Sequence, residues 1–147
     1  MLEFTGGEDA ALLRLRSYIE SGCLEEYKQK RNDLLGADAS TKFSPWLAQG
    51  SLSIKAVYDA VVNYKVQNPS TDHLISELFW RDFFIYFAKD KKSSLFYEYG
   101  ASGKGVHEWL VDQDVITRWR EGKTGIPLID ACMRELSYSG WLSNRGR

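Results

Sequence analysis

The stretch from Thr71 to Asp90 sets the terms for the rest of the chain. It places Leu74, Ile75, Leu78, Phe79, Phe83, Phe84, Ile85 and Phe87 at helical spacing, with apolar residues on nearly every face of the helix this spacing predicts. Such a helix is stable only where other elements cover it, so the expectation is a helix at the centre of the core. Charges at Asp72, Glu77, Arg81 and Asp82 keep the apolar run well short of the roughly 18 continuous residues of a membrane span.

The flanking segments supply shorter helices. Thr5-Gly6-Gly7-Glu8 has the spacing of a capping box, and Ala11, Leu12, Leu15 and Ile19 follow as one stripe until Ser21-Gly22. Leu24 to Ser44 is polar and turn-rich, with at most a short helix over Leu24 to Lys30; an ordered loop of this length is usually functional. Ser44-Pro45 opens a short helix through Leu47, Ser53 caps another bearing Ala56, Val57, Ala60, Val61 and Tyr64, and Asn68-Pro69-Ser70 ends it. Beyond a Gly-rich connection from Gly100 to Gly105, Asp112 to Glu121 reads as a helix with Val115, Ile116 and Trp119 inward. Pro127 then opens a last helix with the stripe Leu128, Ile129, Cys132, Met133 and Leu136. No alternating run is long enough for a strand, so the fold class is all-α, one domain over residues 1–147.

With 19 Lys+Arg against 20 Asp+Glu, the field of the whole chain cannot steer it to DNA or to an anionic membrane, so any nucleic-acid site must be a local patch. A composition 44% hydrophobic and 27% charged excludes disorder. Cys23 and Cys132 are too few for a disulfide scaffold or a thiolate metal site. His73 and His107 stand without partners at ligand spacing, so no metal is expected.

Glu77, Trp80, Arg81 and Phe84 share one face of the central helix. Two readings of that face stay open. In one, Glu77 and Arg81 form an ion pair and Trp80 is core. In the other, Trp80 stacks on a nucleobase for about 1–3 kcal/mol while Glu77 accepts a hydrogen bond from its edge and Arg81 adds a cation. Lys28, Lys30, Arg31 and Lys42 beside the polar loop, and Arg134, Arg145 and Arg147 near the end, make two basic patches suited to phosphates or to water. Ser40, Thr41 and Ser44 around Lys42 offer hydroxyls and amides to a diphosphate, without a glycine-rich phosphate pattern. Trp46, Trp109, Trp119 and Trp141 read as core on burial habits alone.

Six strings in order, Thr5-Gly-Gly-Glu8, Glu26-Tyr-Lys-Gln-Lys-Arg-Asn32, Ser40-Thr-Lys-Phe-Ser-Pro-Trp-Leu47, Glu77-Leu-Phe-Trp-Arg-Asp82, Gly122-Lys-Thr-Gly-Ile-Pro127 and Trp141-Leu-Ser-Asn-Arg-Gly-Arg147, together resemble the flavin-binding helical domain of the photolyase/cryptochrome family. The third and sixth favour its cryptochrome-DASH branch. The resemblance runs from about Thr5 to Arg147. It implies the amino-terminal part of a multi-helical FAD-binding domain, lacking the α/β antenna domain with its folate-type pigment and truncated at the carboxy-terminal end. The activity implied is a deoxyribodipyrimidine photolyase-type lyase: light-driven repair of cyclobutane pyrimidine dimers by an electron from photoexcited reduced FAD. Single-stranded DNA is the preferred partner, because flipping a base out costs less where pairing is already lost. The alternative is a blue-light photoreceptor of cryptochrome type. A monomer without membrane contact, inside the cell and in an organelle if eukaryotic, completes the expectation.

Carried over by position, Tyr27, Ser40, Thr41, Lys42, Phe43, Ser44, Arg81, Trp141 and Arg147 match flavin contacts. Arg31, Glu77, Trp80, Asn144 and Arg145 match DNA and lesion contacts, with Glu77 the lesion-facing carboxylate. Trp109 matches the surface-end tryptophan of an electron chain whose inner members would lie beyond Arg147.

Overall fold

A computed structural model describes residues 4–103 and 111–147. Among these residues there is no strand; the chain is all-α as expected. Its helices are α1 (Glu8–Glu20), α2 (Tyr27–Lys30), α3 (Ser44–Gln49), α4 (Ile54–Val62), α5 (Pro69–Lys91), α6 (Gln113–Arg120) and α7 (Pro127–Ser139), with 3-10 turns at Cys23–Glu26 and Lys92–Phe96.

The core lies where α1, α2, α4 and the first half of α5 meet. Ala11, Leu15 and Tyr18 of α1, Val57 and Val61 of α4, Leu74 and Leu78 of α5, and Leu24, Tyr27, Phe43 and Trp46 form one buried cluster. Each fully covered aliphatic side chain there, such as Val57, Val61 or Leu74, contributes about 1.5–3 kcal/mol. Asn68-Pro69 does not end α4, which stops at Val62 short of Tyr64; it starts α5 instead. Asn68 Oδ1 accepts from the amides of Ser70 (2.8 Å) and Thr71 (3.2 Å), and the Asn68 amide donates to Thr71 Oγ1 at 2.9 Å. That reciprocal pair satisfies donors the first turn would otherwise leave open.

Three further expectations are corrected. The capping box at Thr5–Glu8 does not form: α1 starts at Glu8 behind Gly7, whose φ of 94° carries the chain away from the helix axis. The Thr5 carbonyl instead accepts from Trp46 Nε1 at 2.9 Å. Helix α5 is central for its first half only. Its 23 residues extend about 34 Å, beyond the body formed by α1, α2 and α4, and Phe79, Phe83 and Tyr86 stay 63%, 52% and 68% exposed. Val115, Ile116 and Trp119 are likewise exposed on α6, whose main packing partner among the described residues is α7.

Candidate functional site

Four stretches of chain meet around one cavity of about 250 Å³. Helix α2 contributes Tyr27 and, just past its end, Arg31. The loop into α3 contributes Ser40, Thr41, Lys42 and Phe43, followed by Ser44 and Leu47. Helix α5 presents Leu74, Glu77, Leu78 and Arg81, which its period places on one face, and the terminal turn after α7 adds Trp141, Asn144 and Arg147. All nine residues expected at a flavin are therefore brought together, as are Arg31, Glu77 and Asn144 of the expected DNA contacts. Trp80 and Arg145 lie outside the cavity lining, and Trp109 falls outside the described residues.

Glu77 does not pair with Arg81. Its Oε1 pairs instead with an Arg31 terminal nitrogen at 2.7 Å, an ion pair that ties the end of α2 to α5. His73 Nε2 also stands 3.3 Å from Oε1, poorly aligned for a hydrogen bond and with no other partner among the described residues. Arg81 lies 3.8 Å from Asp82 instead, leaving its guanidinium at the cavity rim. Burial, reinforced by the Glu77 carboxylate and opposed by Arg31, pushes the Tyr27 phenol above its ordinary range.

Lys42 is the unusual residue of the loop. It is 6% exposed, its φ of 58° is left-handed, and no carboxylate lies within ion-pair distance among the described residues. Its ammonium sits 3.7 Å from the centroid of the Trp141 ring and 3.2 Å from Ser40 Oγ. Burial draws its pKa below the ordinary lysine range, with Glu135 only partly offsetting this. A desolvated cation held by a ring and a hydroxyl marks where an anion would be welcome.

The terminal turn is built to reach the cavity. Gly140, at φ 69°, ends α7, and Ser139 Oγ accepts the Trp141 amide at 3.1 Å. Asn144 Nδ2 then donates to Asn32 Oδ1 at 2.9 Å, fastening the turn to the end of α2, and a terminal nitrogen of Arg147 lies 3.4 Å from Asn144 Oδ1. A side chain at Gly146 would meet Leu142 Cδ1 at 2.9 Å and Cys132 Sγ at 3.1 Å, so those side chains would have to shift to admit one.

Trp80 occupies the next stripe of α5. It is 56% exposed and packs edge-on against Phe83 (5.4 Å between centroids) and tilted on Phe84 (5.9 Å). Reading from sequence missed Leu47, Leu74 and Leu78, which pass as ordinary core, and Asn32, whose role depends on a partner 112 residues away. The cavity thus combines a buried cation, aromatic walls and a carboxylate–guanidinium pair at its rim, and suits an anionic ligand carrying a flat ring. Among the described residues no group of His, Cys, Asp and Glu could hold a metal ion, and no helix is long and apolar enough to cross a membrane.

Residues 74–147 match the family model described as the FAD binding domain of DNA photolyase. Over its whole length the chain is 48% identical to the cryptochrome DASH of Synechocystis sp., and over 99% of it 47% identical to the chloroplastic/mitochondrial cryptochrome DASH of Solanum lycopersicum. It spans 31% and 26% of those two relatives. The crystal structure of the Synechocystis sp. PCC6803 cryptochrome superposes with a TM-score of 0.95 at 48% identity, over 99% of this chain and 31% of that one. A bacterial class III photolyase from Agrobacterium tumefaciens follows with a TM-score of 0.87 at 29% identity, over 98% of this chain and 30% of that one.

Proposed function

Since the chain belongs to the photolyase/cryptochrome family, we propose that its cavity is one wall of a flavin site and that the full-length protein carrying it repairs cyclobutane pyrimidine dimers in DNA, preferably single-stranded. The observation that carries this reading is the convergence of Tyr27, Ser40–Ser44, Arg81, Trp141 and Arg147 on one cavity from four separate stretches of chain. The residues present fit FAD. Lys42, buried without a carboxylate, suits its diphosphate, while Tyr27 and Trp141 offer rings and edges to its aromatic parts. When bound and fully reduced, FAD supplies after absorbing light the electron that opens the cyclobutane ring.

The remaining work falls to the chain itself. Glu77 and Arg31, at the rim, would exchange their mutual bond for a base edge and a phosphate as DNA arrives. Trp80, exposed one stripe further round α5, offers a stacking surface to an unpaired base. Asn144 and Arg145 would reach the strand from the terminal turn, and Trp109 would serve the supply of electrons to the flavin. A cavity of about 250 Å³ lies below the roughly 300–1,000 Å³ of sites that enclose a drug-sized ligand, and FAD is larger still. These 147 residues alone would therefore neither retain FAD tightly nor repair DNA.

The test is blue-light repair of a single thymine dimer in single-stranded DNA by the full-length protein, read beside its absorption spectrum. Yellow protein with light-dependent repair supports the reading. Yellow protein that photoreduces but never repairs favours a photoreceptor, and colourless protein overturns the flavin site.

A further inference from the structure

The loop on the cavity wall is held from behind by a single side chain. Arg14 sits on α1 between buried Ala11 and buried Tyr18, and its Cζ stacks 5.2 Å from the centroid of the Tyr18 ring. Its guanidinium crosses to the loop and uses every nitrogen. Nε donates to the Thr41 carbonyl at 2.9 Å, one terminal nitrogen to Asp38 Oδ1 at 2.7 Å, and the other to the carbonyls of Ser40 (3.2 Å) and Ala37 (3.3 Å). Arg14 does not line the cavity, whereas Ser40, Thr41 and Lys42 do.

That arrangement fixes where the loop amides point. No peptide bond among the described residues is cis, so each carbonyl is antiparallel to the N–H of the residue after it. Drawing the Ser40 and Thr41 carbonyls toward Arg14 turns the Thr41 and Lys42 amides the opposite way. Among the described residues neither amide donates to any protein group. Lys42 has a left-handed φ of 58°, and successive N–H groups around such a residue make a concavity for an anion. Asp38 neutralises the guanidinium locally, so the side chain contributes orientation and not net charge.

We propose that Arg14 is a positioning residue for diphosphate recognition, presenting the Thr41 and Lys42 amides to the cavity as a pair of donors. The inference rests on the reading of the cavity as a flavin site. It is tested in the full-length protein with Arg14→Gln and Arg14→Lys, by equilibrium dialysis of the apoprotein against FAD and against riboflavin, which has no phosphate. The dissociation constant for FAD is expected to rise about tenfold in Arg14→Gln, the effect of misplacing charge-assisted hydrogen bonds. That for riboflavin should stay within about twofold, and the salt dependence of FAD binding should not change in Arg14→Lys, which leaves the charge beside Asp38 as it is. Arg14→Lys keeps the charge without the fork and should show the same FAD-selective loss; it carries the test if Arg14→Gln does not fold. Equal weakening of both ligands, unchanged FAD affinity, or full rescue by lysine overturns the proposal while leaving the flavin site intact. Wild-type protein that takes up neither ligand overturns the flavin reading, and the role of Arg14 with it.

Discussion

Replacing Glu77 by glutamine removes the charge that holds Arg31 while keeping the shape of the side chain. The two groups are 2.7 Å apart, with 23% of the arginine and 36% of the glutamate side chain exposed. That places the pair between surface ion pairs, worth about 0.2–1 kcal/mol, and sheltered hydrogen bonds to charged groups, worth about 1.5–3 kcal/mol. A coupling energy of about 1–1.5 kcal/mol is therefore expected from urea denaturation of wild type, Glu77→Gln, Arg31→Met and the double variant. For DNA binding by the full-length protein, the effects divide. The freed Arg31 becomes available to a phosphate, so binding of an undamaged single strand should be maintained or tightened. The slope of log K against log salt should then steepen by about 0.7. Preference for a dimer-containing strand should fall about tenfold, near 1.4 kcal/mol, as one hydrogen bond to the base edge is weakened. Anisotropy titrations of labelled strands with and without a dimer, between about 50 and 200 mM salt, measure both quantities. A coupling below about 0.3 kcal/mol would refute the clamp between α2 and α5. An unaltered salt slope would refute the exchange of Arg31 between carboxylate and phosphate.

Trp80→Ala in the full-length protein should weaken binding of a dimer-containing strand by the stacking contribution, about 1–3 kcal/mol, and leave the flavin spectrum unchanged; equal affinity would take Trp80 out of the DNA site. Gly122→Ala should destabilise the chain by about 2–4 kcal/mol in urea. The residue stands at φ 64°, and its new Cβ would meet the Asp130 carbonyl at 2.7 Å. A loss under about 1 kcal/mol would mean that the turn yields more easily than its geometry implies. Asp130 is held below its ordinary value of 3.8 by the Thr124 hydroxyl and by the amides of Thr124 and Gly125. Because the folded value is the lower one, its contribution is present above pH 3.8 and is lost as pH falls through the folded value. Urea midpoints of Asp130→Asn should accordingly show a flatter acid limb than those of wild type, and identical limbs would contradict the assignment.

Much of the site was legible because its residues announce their chemistry locally. Hydroxyls around Lys42 and a carboxylate, indole and guanidinium on one helical face are visible in any short window, and the family resemblance divided them between a flavin and DNA. The partners were not legible. Glu77 has Arg81 at helical spacing, yet Arg31, 46 positions away, approaches it more closely than Arg81 does. Arg14, between two apolar positions of α1, carries no local sign of its role, since the carbonyls it gathers are 23 to 27 residues distant. At the fold level, periodicity reported correctly that α5 is apolar all round, and the error was to equate apolar with covered. The exposed Phe79, Phe83 and Tyr86 show that a hydrophobic pattern records what a helix can bury, whereas burial needs a neighbour.

The cavity is also a joint. Helices α6 and α7 pack on each other, and the terminal turn meets the rest of the molecule at the same seam that holds Lys42 against Trp141 and Asn32 against Asn144. Whatever fills the seam therefore belongs to the scaffold as well as to the chemistry. Ligand concentration becomes a thermodynamic variable of folding, adding about 2.7 kcal/mol at a hundredfold excess over its dissociation constant. Amide hydrogens of residues 141–147 should then exchange slowly in the loaded protein and rapidly in the empty one.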